Sequence, residues 1–196
     1  VGPQEADVIM IANMPLKGEV IRACKNLKYI NVAFTGVDHV DLAAAKEMGV
    51  KVSNASGYST QSVAELALGM MLSLLRNVPQ VEERCRAGKT KDGLVGTELR
   101  GKTVGIVGAG AIGQNTGRLC KAFGCKVIAY NHRPKQAAEG TIDEFVDLDT
   151  LTRESDIISL NCPLNDSTRG MFDAERIAMM KKTAILINVA RGPVVD

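Results

Sequence analysis

The segment that most restricts the fold is Lys102-Thr-Val-Gly-Ile-Val107, followed at once by Gly108-Ala-Gly110-Ala-Ile-Gly113 and then by an amphipathic stretch to Phe123. The β-branched run reads as a buried strand, and the stretch after the glycines reads as a helix. Each glycine at that junction answers a different demand. Gly108 permits a tight turn, Gly110 lets the main chain approach a bound pyrophosphate, and Gly113 lets the helix lie against the strand. The helix start, with Ala111 and Ile112 between the last two glycines, then offers unpaired amides and the positive end of the helix dipole to phosphate. A strand, a glycine turn and a helix in that order form a dinucleotide-binding βα unit.

The rest of the chain follows the same grammar. Short β-branched runs near residues 7–11, 29–34, 51–54, 103–107, 126–130, 156–161 and 184–189 alternate with helical patterns near 17–24, 42–48, 62–87, 112–123, 147–154 and 174–180. This alternation marks an α/β fold with a doubly wound, parallel, Rossmann-type sheet. Asp41 can cap the second helix and Gly49 can end it. Ser62-Val-Ala-Glu65 reads as a capping box opening the third helix, which Pro79 should kink or divide. A loop at 88–101, rich in Gly, Lys and Thr, follows that helix. Three βα units precede the helix and a second set follows the loop, so two α/β lobes are expected.

The second strand of the nucleotide unit, near 126–130, ends in Asn131-His132-Arg133, where the adenosine ribose of a dinucleotide would lie. An acidic residue there would mark NAD, and none is present. Asn131 can bond a ribose hydroxyl. Arg133 either pairs with a 2′-phosphate or is a solvated loop charge, and His132 adds positive charge below neutral pH. NADP(H) is therefore expected to serve at least as well as NAD(H).

Composition excludes several other classes. The 196 residues carry 24 Lys+Arg against 22 Asp+Glu, and only 4% are aromatic, with no Trp. Scattered charge and so little stacking surface argue against a nucleic-acid partner. The five cysteines form an odd set with no C-x-x-C pair, and there are only two histidines, so neither a metal site nor a disulfide framework follows. The longest apolar stretch, Leu66 to Leu75, is interrupted by Gly69 and Ser73 and is too short for a membrane span. No signal peptide is read, and the reducing cytoplasm is the default compartment.

Five ordered blocks carry a resemblance across essentially the whole chain. They are Thr35-Gly-Val-Asp-His-Val-Asp41, Asn54-Ala-Ser-Gly-Tyr-Ser-Thr-Gln-Ser-Val-Ala-Glu65, the glycine turn, Asn161-Cys-Pro-Leu164 with Thr168-Arg-Gly170, and Ile187-Asn-Val-Ala-Arg-Gly-Pro-Val-Val-Asp196. Together they resemble the D-isomer-specific 2-hydroxyacid dehydrogenase family. The resemblance implies a partial, flavodoxin-like substrate lobe at 1–58 and a nucleotide-binding Rossmann domain at 59–196, truncated at its C-terminal end, with the active site in the cleft between them. It implies that main-chain amides at Gly36 and Val37 hold a substrate carboxylate and that Arg191 binds and polarises a 2-keto acid. Tyr58 would reach the substrate or pack between lobes. Val63 would face a nicotinamide, Cys162 and Pro163 would border the adenosine, and Thr168, Val189 and Ala190 would complete the cofactor contacts. Cys162 itself reads as a small apolar filler.

The activity implied is hydride transfer between NAD or NADP and a small 2-keto or D-2-hydroxy acid of the glyoxylate, hydroxypyruvate or pyruvate type. The family's catalytic His and Glu match no residue here, since neither His39 nor His132 fits the proton-transfer role. The chain, which opens on Val1, accordingly reads as an inactive central segment of a longer protein. Other readings are an NAD(H)-binding regulatory protein of the corepressor kind, and a cofactor-binding fragment without activity. The apolar helix from Ser62 points to a homodimer or to burial within one subunit.

Overall fold

Short apolar strands alternate with helices through the computed structural model, which describes residues 3–133 and 136–196, and the chain falls into two units, Val1–Ser59 and Thr60–Asp196. The first unit runs β1 (Val8–Ile11), α1 (Gly18–Ala23), β2 (Tyr29–Val32), α2 (Leu42–Glu47) and β3 (Lys51–Asn54), with its strands parallel in the order β1-β2-β3. Ile30 and Val32 on one face of β2 pack against Ile21 of α1 and Ala44 and Ala45 of α2, all buried. Asp41 caps α2 by accepting the Ala44 amide at 2.9 Å, and Gly49 follows the helix at φ 69°.

The second unit comprises α3 (Thr60–Leu75), α4 (Val78–Arg86), β4 (Thr103–Val107), α5 (Ala111–Ala122), β5 (Lys126–Tyr130), β6 (Glu144–Phe145), α6 (Leu148–Glu154), β7 (Ile157–Leu160), α7 (Ala174–Met179) and β8 (Ile185–Asn188). Its parallel sheet has the order β6-β5-β4-β7-β8. The chain therefore leaves β4 towards one edge and returns to its other side at β7, which makes the carboxyl end of β4 a topological switch point. Alternate strand residues serve two layers. Val104, Ile106, Val127 and Ile157 face Met71 of α3 and Cys120 of α5, while Ile128, Ile158 and Leu160 face Leu151 of α6 and Phe172. Burial on both faces explains why these strands read as continuous apolar runs.

The helix near 62–87 is divided, as expected of Pro79, into two helices, because Asn77 adopts a left-handed backbone at φ 53° and Pro79 fits the first turn of a new helix better than the interior of an old one. The first of them begins at Thr60, so Ser62 lies inside it and the capping box does not form. Glu65 instead accepts from Gln61 Nε2 at 2.6 Å. Strand β6 was not expected, because its two residues are exposed and lack any apolar alternation. They are recruited by pairing with Ile128 and Ala129 of β5. Among the described residues no helix is long and apolar enough to cross a membrane, and no cluster of His, Cys, Asp or Glu could hold a metal ion.

Two carboxylates anchor the amino ends of central strands. Asp156 accepts the Thr103 amide and Lys181 Nζ, each at 2.8 Å, and Asp143 accepts the Val127 amide at 2.8 Å together with Lys121 Nζ. For Asp143 the Lys121 bond and then the Val127 amide hold the carboxyl below its ordinary range. For Asp156 partial burial works the other way, but Lys181 and the Thr103 amide together outweigh it. Depressed folded-state values contribute stability that is present above the ordinary carboxylate range of about 4 and is lost as pH falls through the lower folded-state values. The urea midpoint of the chain should fall as pH is lowered through that window, and Asp143→Asn should flatten the fall. An unchanged pH profile in the variant would contradict the assignment.

Candidate cofactor-binding site

The site grows from the end of β4. Gly108 sits at φ 94°, and a β-carbon there would lie 2.8 Å from the amide nitrogen of Cys162. The turn thus passes directly against the main chain that follows β7, a path open only to glycine. At Gly113 a β-carbon would lie 2.2 Å from the carbonyl oxygen of Gly108, so the first turn of α5 presses on the loop it follows. Gly110 is the N-cap of α5 with no side-chain cap, and nothing lies within 4 Å of where its β-carbon would be. The space ahead of the helix start, with the amides of Ala111 and Ile112, is open.

Hydrogen bonds hold this turn to β5. The Gly108 amide donates to Tyr130 O at 2.9 Å, and the Ala109 amide donates to Asn131 Oδ1 at 3.1 Å. Asn131 Nδ2 donates in turn to Arg133 O at 2.7 Å. Asn131 therefore joins the glycine turn to the strand end, a role that its sequence position alone did not disclose.

The loop after β7 supplies the opposite wall. Thr168 Oγ1 donates to Pro163 O at 2.6 Å and accepts the Asn165 amide at 2.9 Å, so this buried hydroxyl ties the loop to itself. Burial pushes the Cys162 thiol above its ordinary range, away from nucleophilic chemistry. The structure brings Gly108, Asn131, His132, Arg133, Cys162, Pro163 and Thr168 together around one cleft of about 290 Å³. Tyr130, Asn165, Ser167 and Met171 also line it and were not anticipated. The cluster Asn165-Asp-Ser-Thr168 carries a turn signal that could have flagged the last part of this wall.

The other expected residues lie elsewhere. Arg191, which is exposed, follows β8 at the same carboxyl edge of the sheet, and the segment is fixed by Asn188, whose Oδ1 accepts the Ala190 amide at 3.0 Å and whose Nδ2 donates to Arg191 O at 2.9 Å. Arg191 Nη1 donates to Ala190 O at 3.0 Å, and the Val189 amide donates to Leu160 O. Val63 is half-buried near the start of α3. Gly36, Val37 and Tyr58 belong to the other unit. There the Val40 amide donates to Val37 O at 3.0 Å, and the exposed Tyr58 ring meets Phe34 edge-on at 6.1 Å.

These residues fit a dinucleotide. The glycine turn is a cradle that a β-carbon at Gly108 would fill, and Asn161 Oδ1, beside that turn at the end of β7, is buried with no partner. A buried acceptor left open next to a ligand edge is an invitation to a ligand hydroxyl or amide.

The family model for "D-isomer specific 2-hydroxyacid dehydrogenase, NAD binding domain" matches residues 68–196. The chain belongs to that family. It is 44% identical to a hydroxypyruvate reductase of Thermotoga maritima, over 98% of this chain and 63% of that protein. A D-lactate dehydrogenase from Aquifex aeolicus, solved with NAD and lactic acid, superposes with TM-score 0.93 at 34% identity over 99% of this chain and 59% of that one. An acyclic imino acid reductase in complex with NADPH and D-Arg superposes with TM-score 0.92 at 33% identity, over 99% of this chain and 63% of that one. The chain thus spans less than two thirds of each of these relatives. The residues matched by the family model, 68–196, all lie in its second unit.

Gly108→Ala is expected to abolish dinucleotide binding, measured by calorimetry, and to lower stability to urea by about 1 to 3 kcal/mol from strain and overpacking. A variant that keeps both properties would show that the turn is not built around this contact.

Proposed function

We propose that the protein carrying this chain reduces small 2-keto acids to D-2-hydroxy acids with a nicotinamide dinucleotide, with glyoxylate, hydroxypyruvate and pyruvate as the candidate substrates. The observation that carries this reading is the pairing, along one carboxyl sheet edge, of the Gly108 turn with the Arg191 segment. Similarity to the Thermotoga maritima hydroxypyruvate reductase supports the substrate class.

The amides of Gly110, Ala111, Ile112 and Gly113 would hold the phosphates. Asn131, His132 and Arg133 would hold the adenosine ribose, Cys162, Pro163 and Thr168 the adenine side, and Val63, Val189 and Ala190 the nicotinamide. The bound coenzyme supplies the hydride. Arg191 stabilises the negative charge that develops on the substrate carbonyl oxygen, as a fixed guanidinium can. Gly36 and Val37 offer main-chain amides to the substrate carboxylate, and Tyr58 offers an exposed ring to its side chain. Proton transfer is assigned to neither His39 nor His132, so these 196 residues alone should show no steady turnover. A homodimer is assigned to the exposed apolar face of α3, where Leu66, Met70 and Leu74 are accessible, and light scattering tests it.

In the parent protein, Arg191→Ala should cost about 2 to 4 kcal/mol of transition-state stabilisation, a loss of about 30- to 1000-fold in kcat/KM for every 2-keto acid turned over. Parental kcat/KM in the variant would remove Arg191 from the mechanism.

Coenzyme choice follows from the ribose end. Asn131 is engaged by the Ala109 amide, and among the described residues lining the cleft there is no carboxylate, while the exposed Arg133 is one of them. NADP(H) should serve at least as well as NAD(H). An exposed pair contributes about 1 kcal/mol or less, so Arg133→Ala should cost NADP(H) up to about fivefold in kcat/KM, more if the contact is bidentate, and leave NAD(H) unchanged. A strong NAD(H) preference unaltered by the substitution would make Arg133 a solvated surface charge.

A further inference from the structure

α5 ends in a turn whose hydrogen bonds decide which side chains meet. The amide of Gly124, at φ 81°, donates to Lys121 O at 2.9 Å, and the amide of Cys125 donates to Cys120 O at 3.1 Å. This paired arrangement folds the residue beyond the turn back over the last turn of the helix, and an apolar contact between those two positions commonly completes it. Here both positions are cysteine. Cys120 is fully buried against Met71, its sulfur 3.9 Å from Met71 Sδ, whereas Cys125 keeps 7% of its surface and its thiol reaches Leu99 O at 3.4 Å.

The two thiols are unequal. A hydrogen bond from Cys120 holds the Cys125 thiol below its ordinary range against the opposing effect of burial, and the Lys102 ammonium adds to it. The Lys126 amide donates to Lys102 O at 3.0 Å, which ties the main chain of Lys102 to the start of β5, next to Cys125 in sequence. The same thiol contact and its deeper burial push Cys120 up. Cys125 is also the less buried of the two, so it is the sulfur that an oxidant reaches first, with Cys120 behind it to resolve.

We propose that Cys120 and Cys125 form a peroxide-reactive dithiol that closes to an intramolecular disulfide. The Cys125 thiolate attacks one oxygen of hydrogen peroxide and the O–O bond breaks. The departing hydroxide takes up the proton that Cys125 had released and leaves as water, with Cys125 now a sulfenic acid. The Cys120 sulfur then attacks the Cys125 sulfur. The S–O bond breaks, the S–S bond forms, and a second water leaves carrying the Cys120 proton. Two electrons pass from the sulfurs to the peroxide, which ends as two waters. The two residues are already held together through their main chain by the Cys125 amide bond to Cys120 O.

The test uses the 196-residue chain with Cys85→Ser, which takes the exposed thiol out of competition. After native treatment with hydrogen peroxide, remaining thiols are alkylated under denaturing conditions and the chain is digested with trypsin. The expected product is peptide 119–121 joined to peptide 122–126, lighter than the separate thiol peptides by two hydrogen atoms and released by dithiothreitol. Cys24 and Cys162 should remain alkylated in the same sample. In Cys120→Ala the resolving sulfur is gone, and Cys125 should be trapped by dimedone as the sulfenic acid. If that variant does not fold, the linked peptide from the chain with native Cys120 decides alone. Recovery of Cys120 and Cys125 both alkylated, or of oxygen added to Cys125 with no linked peptide, would overturn the proposal.

Discussion

Everything in the second unit is arranged around the approach of one glycine to one stretch of main chain. Gly108 stands so close to the Cys162 amide that no side chain fits between them. That contact brings the end of β4 and the loop after β7 together at the switch point of the sheet. It is possible only because the β-branched strands on either side are buried on both faces, which fixes their spacing and register. The start of α5, pressed on Gly108 through Gly113, inherits its direction from the same contact. A helix terminus that opens beside this cleft then follows without any special side chain.

Much of this was legible because it is imposed on the backbone. A glycine turn between an apolar run and an amphipathic helix has few other uses when all three occur in order. Asp41 was readable as a cap because its side chain bonds within its own turn. Features decided by distant partners were harder to read. Ser62 and Glu65 have the spacing of a capping box, yet the helix starts earlier, and no local signal says so. Strand β6 exists because β5 recruits it. The division of the long helix depended on a left-handed Asn77 as much as on Pro79.

The candidate site divides along the same line. Gly108 and the residues after β5 were read from order and spacing, and Cys162, Pro163 and Thr168 from the family resemblance; these residues line one cleft. What Asn131 does there was not readable, since the amide it accepts comes from Ala109 on the glycine turn. The Cys120 and Cys125 pair was hidden for a related reason. Its spacing matches no redox motif, and only the hydrogen bonds that close α5 bring the two residues together.

The central claim is that the Gly108 turn, the end of β5 and the Cys162 loop hold a nicotinamide dinucleotide. Amide chemical shifts of the isotopically labelled chain, titrated separately with NADH and NADPH, test it most directly. The account predicts saturable shifts concentrated at Ala109 to Gly113, Asn131 to Arg133 and Cys162, with NADPH moving Arg133 more than NADH does. Saturable shifts centred instead on the exposed face of α3, or none at the glycine turn with either coenzyme, would contradict it.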